Sequence, residues 1–304
     1  MKKLITLLLA LVLVLSLAAC AGETTQGSNN QTNLPQSEGN SNSNDTGKTE
    51  NNQISFSEVV VIDNAECLIK ITGIDPDNMW GYTLKAQLEN KSTDKTYMFS
   101  VMSAAINGVE CDPFFAADVA AGKKANEQIH FAKDELEKYG IGDFTDIELT
   151  FRVYDSNDWT ADEVAIETVH IYPYGEDKAV KFVRQAQPAD NVIIDNECVT
   201  VVVTGYEEDS IWGYTVNLFL VNKTDKNVMF SVDEASVNGF MIDPFYATSV
   251  AAGKCKFSSM QWSNSALAEN GIMEIEEIEF AFRAYDSDDW FADDFANEVI
   301  TLHP

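Results

Sequence analysis

The densest chemistry in this sequence lies in two acidic loops. Asp155, Asn157, Asp158 and Asp162 follow one alternating apolar run, and Asp286, Asp288, Asp289 and Asp293 follow another. Clustered carboxylates with an amide oxygen suit a hard cation such as calcium. The spacing departs from an EF-hand loop: Trp159 and Trp290 stand at a ligand position, and Thr160 and Phe291 stand where that loop needs glycine. The simpler expectation is a hairpin in which Asp155 and Asp286 accept backbone N–H groups and each tryptophan packs back on its domain. Calcium binding and direct ligand contact are the alternatives.

Aromatic residues form the second candidate set. Trp80 ends the acidic turn Asp75-Pro-Asp-Asn-Met-Trp80, and Trp212 ends Glu207-Glu-Asp-Ser-Ile-Trp212. Buried aromatics dominate β-sandwich cores, so both tryptophans are expected inside, with stacking on a sugar or peptide as the alternative. Phe114-Phe115 and Phe245-Tyr246 each follow an Asp-Pro turn. Burial between sheets is the expectation, and an exposed partner-binding patch is the alternative.

Catalytic constellations are not legible. Ser92-Thr-Asp-Lys95 has the bare Ser-x-x-Lys spacing of penicillin-recognising enzymes, but the companion motifs are missing and the second copy of that turn, Asn222-Lys-Thr-Asp-Lys226, lacks the serine. His130, His170 and His303 occupy unrelated positions, without a second ligand at metal spacing. The sequence therefore points away from an enzyme and implies no cofactor.

The elements that carry these residues come twice. Phe151-Arg-Val-Tyr-Asp-Ser-Asn-Asp-Trp159 returns 131 residues later as Phe282-Arg-Ala-Tyr-Asp-Ser-Asp-Asp-Trp290. The same offset relates Asn107-Gly108 to Asn238-Gly239, Asp112-Pro-Phe114 to Asp243-Pro-Phe245, and Ala120-Ala-Gly-Lys123 to Ala251-Ala-Gly-Lys254. Trp80-Gly-Tyr-Thr83 matches Trp212-Gly-Tyr-Thr215 at 132, which places a one-residue change in the turn near Ser92. Two copies of one domain follow, at 54–173 and 190–304, with a connector at 174–189. Lys178, Lys181 and Arg184 make that connector basic, suited either to docking on acidic neighbours or to solvation.

Within each copy the periodicity is that of strands. Ile147-Glu-Leu-Thr-Phe-Arg-Val153 alternates strictly, and Ile278-Glu-Phe-Ala-Phe-Arg-Ala284 keeps its phase. Further strands are expected at Phe56–Ile62, Cys67–Ile74, Tyr82–Leu88, Thr96–Val101, Lys124–Phe131 and Val164–Tyr172. Asn-Gly pairs suit tight hairpins with positive φ. Lys133–Tyr139 and Asn264–Asn270 read as single short helices, ended by Gly140 and Gly271. Short strands with regularly spaced turns predict an all-β chain of two tandem antiparallel β-sandwiches, each with one short helix.

Residues 1–20 read as a lipoprotein signal. Lys2 and Lys3 precede an apolar run from Leu4 to Leu17, and Leu17-Ala-Ala-Cys20 resembles a lipobox with Cys20 as the lipidation site. The run falls short of the roughly 20 residues that span a bilayer. A lipid-anchored chain at the extracytoplasmic face of a bacterial cell membrane is the expected product. Residues 21–53, rich in Asn, Ser, Thr and Gln, are expected to form a disordered tether with an average reach of about 30 Å.

The formal charge is −29, and loss of Lys2 and Lys3 takes the exported chain to −31. Such a field repels phosphate backbones and argues against nucleic acid as a partner, while favouring cations and basic partners. Cys67 and Cys198 match between copies, but Cys111 faces Ile242 and Cys255 faces Lys124, so no disulfide can be common to both. Free buried thiols are the expectation, and a bridge unique to each copy is the alternative.

The lipobox, the polar tether and the motifs Trp-Gly-Tyr, Asn-Gly, Asp-Pro-Phe and Ala-Ala-Gly-Lys together resemble a family of Gram-positive surface lipoproteins. These carry immunoglobulin-like domains of the type called immunoprotective extracellular. The resemblance covers nearly all of residues 56–304 and implies immunoglobulin-like sandwiches, exposure outside the cell and no enzymatic activity. It supplies no binding residues. The functional expectation is a non-catalytic binding or adhesion module for an extracellular protein or glycan, with a structural spacer of the envelope, stiffened by calcium, as the alternative.

Overall fold

The computed structural model describes residues 54–158 and 160–304. The expected signal, its Cys20, the tether and Trp159 lie outside the described residues. The first copy contains β1 (Val59–Asp63), β2 (Cys67–Asp75), β3 (Tyr82–Asn90), β4 (Tyr97–Ile106), β5 (Val109–Cys111), β6 (Ala116–Val119), β7 (Lys124–Phe131), α1 (Lys133–Lys138), β8 (Ile147–Asp155) and β9 (Ala165–Ile171). The second repeats this order with β10 (Asn191–Asp195), β11 (Val199–Ser210), β12 (Gly213–Asn222), β13 (Val228–Val237), β14 (Phe240–Met241), β15 (Ala247–Val250), β16 (Cys255–Trp262), α2 (Asn264–Glu269), β17 (Ile278–Asp286) and β18 (Ala296–Leu302).

Each copy is an antiparallel sandwich. In the first, the sheet β1-β2-β3-β7 packs on β5-β4-β8-β9, with β6 added to β4. In the second, β10-β11-β12-β16 packs on β14-β13-β17-β18, with β15 added to β13. The strict alternation has its expected consequence. Ile147, Leu149, Phe151 and Val153 are fully buried, as are Ile278, Phe280, Phe282 and Ala284. Burying each such side chain stabilises the fold by about 1.5–3 kcal/mol.

The turns also follow their residues. Asn107 and Gly108 adopt φ of 54° and 86°, and Asn238 and Gly239 adopt 50° and 80°, as a two-residue hairpin requires. Helix α1 closes where Gly140 takes positive φ: its N–H bonds Glu137 O, and Ile141 N–H bonds Leu136 O. This satisfies the last carbonyls of the helix and stops it.

The sandwiches meet in a way that alternation does not foretell. Strand β16 of the second copy lies parallel to β5 of the first, with Cys255 opposite Val109. Cys255 N–H donates to Gly108 O at 3.0 Å. One nine-stranded sheet therefore runs through both copies. Around this join Lys254 pairs with Glu148, and Glu110 Oε1 accepts Ala251 N–H at 2.6 Å.

An aromatic cluster packs beside the join. Tyr139, at the end of α1, stacks on Phe257 with ring centroids 3.9 Å apart, and Phe257 lies 4.9 Å from Phe219. The connector inserts Phe182 against both phenylalanines, at 6.1 and 6.4 Å. Its backbone is tied to the first copy by Phe182 N–H to Asn107 O and Val180 N–H to Thr145 Oγ1. Of the three connector cations, Arg184 docks: its guanidinium makes two hydrogen bonds, 2.6 and 2.7 Å, to Asp190 and lies over the Phe219 ring. Lys178 and Lys181 stay exposed.

Candidate functional site

The hairpin joining β2 to β3 turns on Gly81, whose φ is 105°. A Cβ there would fall 2.2 Å from Phe131 O, so only glycine lets the hairpin approach the end of β7 this closely. Asn78 Oδ1 accepts the Trp80 N–H at 3.0 Å and braces the turn from within. The outcome is a tip held tightly at its base with its large side chains turned outward. Trp80 is 68% exposed, and Met79 beside it is more so.

The second copy builds the same tip from different residues. Gly213 has φ of 107°, and its Cβ would meet Trp262 O at 2.1 Å. Ser210 Oγ accepts the Trp212 N–H in place of the asparagine. Trp212 is again 68% exposed, with Ile211 exposed beside it.

The expectation that Trp80 and Trp212 belong to the core is therefore corrected. The interior at this end is already filled by the last residue of the neighbouring strand. Phe131 is buried against Phe144, and Trp262 is buried with its Nε1–H donating to Ile242 O at 2.9 Å.

The Asp-Pro turns divide their aromatic pairs. Phe115 is buried, edge-on to Phe151 at 6.4 Å, and Tyr246 packs against Phe282 at 6.0 Å. Phe114 and Phe245 point the other way, 93% and 87% exposed, against the expected burial. A strand-like backbone sends successive side chains to opposite faces, so only one of two adjacent aromatics can enter the core. In the second copy Phe245 N–H bonds Gln261 O, next to the Trp262 carbonyl that Gly213 abuts. Phe245 and Trp212 thus flank the end of β16 together.

The acidic loops are hairpins with satisfied carboxylates. Asp155 Oδ1 accepts Asn157 N–H, and Lys95 lies 3.4 Å from Asp155. Asp286 Oδ1 accepts Asp288 N–H, while its other oxygen takes Lys226 at 2.5 Å. The Lys226 hydrogen bond is the main cause holding the Asp286 carboxyl below the usual carboxylate range. Asp158 and Asp289 each accept a backbone N–H two residues on, from Thr160 and Phe291. Asn157, Asp162, Asp288 and Asp293 remain exposed. Among the described residues no three His, Cys, Asp or Glu side chains converge as a metal ligand set would. The expected packing of tryptophan onto the sandwich is corrected for Trp290, which is 76% exposed, with its ring centroid 6.0 Å from that of Tyr285.

Four cysteines among the described residues are free, and burial pushes the thiols of Cys67 and Cys255 up to about 11 and that of Cys111 to about 12. The expected match of Cys67 with Cys198 is corrected: Cys67 lies opposite Asn90 as Val199 lies opposite Asn222, so Cys67 corresponds to the buried Val199. His130 bonds Thr83 Oγ1 at 2.8 Å, but Gln261 replaces that histidine in the second copy.

Sequence reasoning missed two features. One is the pair of buried asparagines, Asn90 and Asn222, whose amides clamp the following turn by donating to Lys95 O and Val119 O, and to Lys226 O and Val250 O. Their matched positions were the available signal. The other is the inter-copy cluster, signalled by Phe219 and Phe257 standing where the first copy has Gln87 and Asn126.

Neither a protein-family model nor a curated protein matches the chain. Weak likenesses to solved structures exist. The YadV chaperone is 14% identical over 72% of this chain and 92% of its own, with a TM-score of 0.23. A Porphyromonas gingivalis W83 protein of unknown function is 12% identical over 81% and 97%, with a TM-score of 0.20. The exo-chitosanase CsxA of Amycolatopsis orientalis is 11% identical over 76% and 26%, with a TM-score of 0.21. Superposition this loose carries no functional argument.

Proposed function

We propose that the protein is a non-catalytic, lipid-anchored surface module that binds an extracellular protein through the aromatic tips of two immunoglobulin-like repeats. One observation carries this reading. Trp80 with Met79 and Phe114, and Trp212 with Ile211 and Phe245, are exposed at matched positions although the loops around them have diverged. Leaving such side chains in water forgoes about 1.5–3 kcal/mol each, which a partner recovers by covering them. Trp, Phe and Met are also the residues that protein interfaces enrich. The export signal and lipobox motivate the location, with Cys20 as the lipid-bearing residue and the membrane as the anchor. The anchored Gram-positive lipoproteins that the sequence resembles fit the same picture.

The test is binding of the full chain to immobilised extracellular-matrix proteins, with cell-wall polysaccharide as the competing surface. Trp80→Ala with Trp212→Ala should weaken protein binding at least about 10-fold, and each single change should have a smaller effect because two sites share the load. Equal binding by the double variant, or binding to the polysaccharide alone, rejects the protein-partner reading. A spacer role is the second reading, favoured by the tied connector and the aromatic cluster between the copies.

A further inference from the structure

A cavity of about 720 Å³ lies between the two copies. Small-ligand and peptide sites commonly fall in the range of about 300–1,000 Å³ and at domain boundaries. Part of its lining is apolar, with Val101 and Leu136 from the first copy and Phe257 and Met229 from the second. Met102, exposed at its edge, adds a flexible apolar surface that adapts to what it meets.

The charge in this cleft is one-sided. Its cation, Lys256, is matched by Glu110 at 3.4 Å, and Glu110 also accepts the Ala251 N–H. Asp112 and Glu135 line the cleft as well, both solvent-exposed and neither in an ion pair among the described residues. Two uncompensated carboxylates thus stand beside an apolar wall, in a chain whose formal charge is −29.

The cleft is continuous with the first aromatic tip. Pro113 and Phe131 line it, Phe114 follows the first, and Gly81 abuts the second.

The geometry points to a binding site in this cleft for a partner segment that carries both basic and apolar residues. Its basic residues meet Asp112 and Glu135, and its apolar residues meet the surface of Met102, Val101 and Phe257. Anionic segments are repelled, and purely cationic ones leave the apolar wall wet. The site deepens the protein-binding reading above and rests on it.

The probe is a decapeptide of alternating lysine and valine, compared with its glutamate–valine counterpart and with decalysine, each titrated into the full chain. The lysine–valine peptide should bind and the other two should bind at least about 10-fold more weakly. Met102→Arg, at an exposed position that tolerates the change, should reduce lysine–valine binding about 10-fold, and Asp112→Asn with Glu135→Gln by a similar factor. Val299→Ala, at an exposed position on β18 outside the cleft, should leave it unchanged. Decalysine binding as tightly, or indifference to Met102→Arg and to the carboxylate changes, overturns the site and leaves only a diffuse acidic surface. That failure would not touch the aromatic tips, whose own test uses matrix proteins. Conversely, cleft binding with tips that matter to no partner would retain the site and reject the wider reading.

Discussion

The outer faces of two equivalent sheets have been put to opposite uses. On the first copy, β2, β3 and β7 present Lys70, Gln87, Glu89, Lys124 and Asn126 outward. Glu89 pairs with Lys124 at 2.9 Å and Lys70 with Glu58 at 2.5 Å. At the matching positions β11, β12 and β16 carry Val202, Phe219, Val221, Cys255 and Phe257, and these pack with the core of the first copy. The cross-strand pair Gln87–Asn126 has become Phe219–Phe257. Five polar residues against five apolar ones is the difference between a free end and a covered one. In tandem architectures a polar outer face opposes stacking on that side, and the first copy has one.

The strongest way to break this asymmetry is to give the second copy the first copy's residues. Phe219→Gln with Phe257→Asn should destabilise the join by about 4 kcal/mol, since large-to-small aromatic changes in a core lie near that size. Thermal unfolding should then split from one transition into two, because each sandwich keeps its own core. A single unshifted transition would mean that the aromatic cluster is not what couples the copies.

A smaller effect is expected at the connector. Arg184 and Asp190 are both largely shielded, and the Arg184 hydrogen bonds hold the Asp190 carboxyl below its ordinary value of 3.8. A carboxyl lowered on folding adds stability that is present above that ordinary value and lost as pH falls through its folded value. Arg184→Ala should cost about 2–3 kcal/mol, mostly from stranding Asp190. Asp158, Asp195, Asp286 and Asp294 are lowered as well and titrate in the same acid window. The informative quantity is thus the difference between wild type and variant, which should shrink below about pH 4. A difference that stays constant down to pH 2 would show that the pair contributes nothing through its charge.

Much of the architecture was legible because it depends on local rules. Alternation placed β8 and β17, Asn-Gly placed the hairpins, and Gly140 and Gly271 placed the helix ends. Each of these is set by sterics or burial within a few residues. The parallel join was not legible in that way, since β16 and β5 are separated by the whole of β6 to β15 and pair at one position. The comparison between copies did hold the signal: an outward Phe219, Val221 and Phe257 in a half-solvated sheet demands a cover. The aromatic tips were misjudged for a related reason. Hydrophobicity alone assigns Trp80 and Trp212 to a core, whereas the space was already taken by Phe131 and Trp262 and the tight Gly81 and Gly213 turns direct the side chains out. The acidic loops read correctly as hairpins, because an aspartate accepting the amide two residues on is again a local rule.

The finest test of the covered end against the free one uses a residue that both copies share. Asn107 and Asn238 sit at the first position of the same hairpin with nearly equal positive φ, so replacing either by glycine introduces no backbone strain. Asn238 Oδ1 accepts two amides, from Glu276 and Glu277, and its amide donates to Glu274 O, all at a solvent-facing end. Asn107 Oδ1 accepts from Thr145 N–H, Thr145 Oγ1–H and Asp146 N–H, and its amide donates to Asp143 O. The Thr145 hydroxyl in turn accepts the connector amide of Val180, so the network under Asn107 reaches the segment that ties the copies together. Solvent can replace what Asn238 loses, but it has poor access to Asn107, which is buried. Asn107→Gly should therefore cost about 2 kcal/mol and Asn238→Gly about 1 kcal/mol, measured by denaturant unfolding of the full chain. Equal costs would mean that the second copy shields its partner's hairpin without stiffening it, and the join would then rest on the aromatic cluster alone.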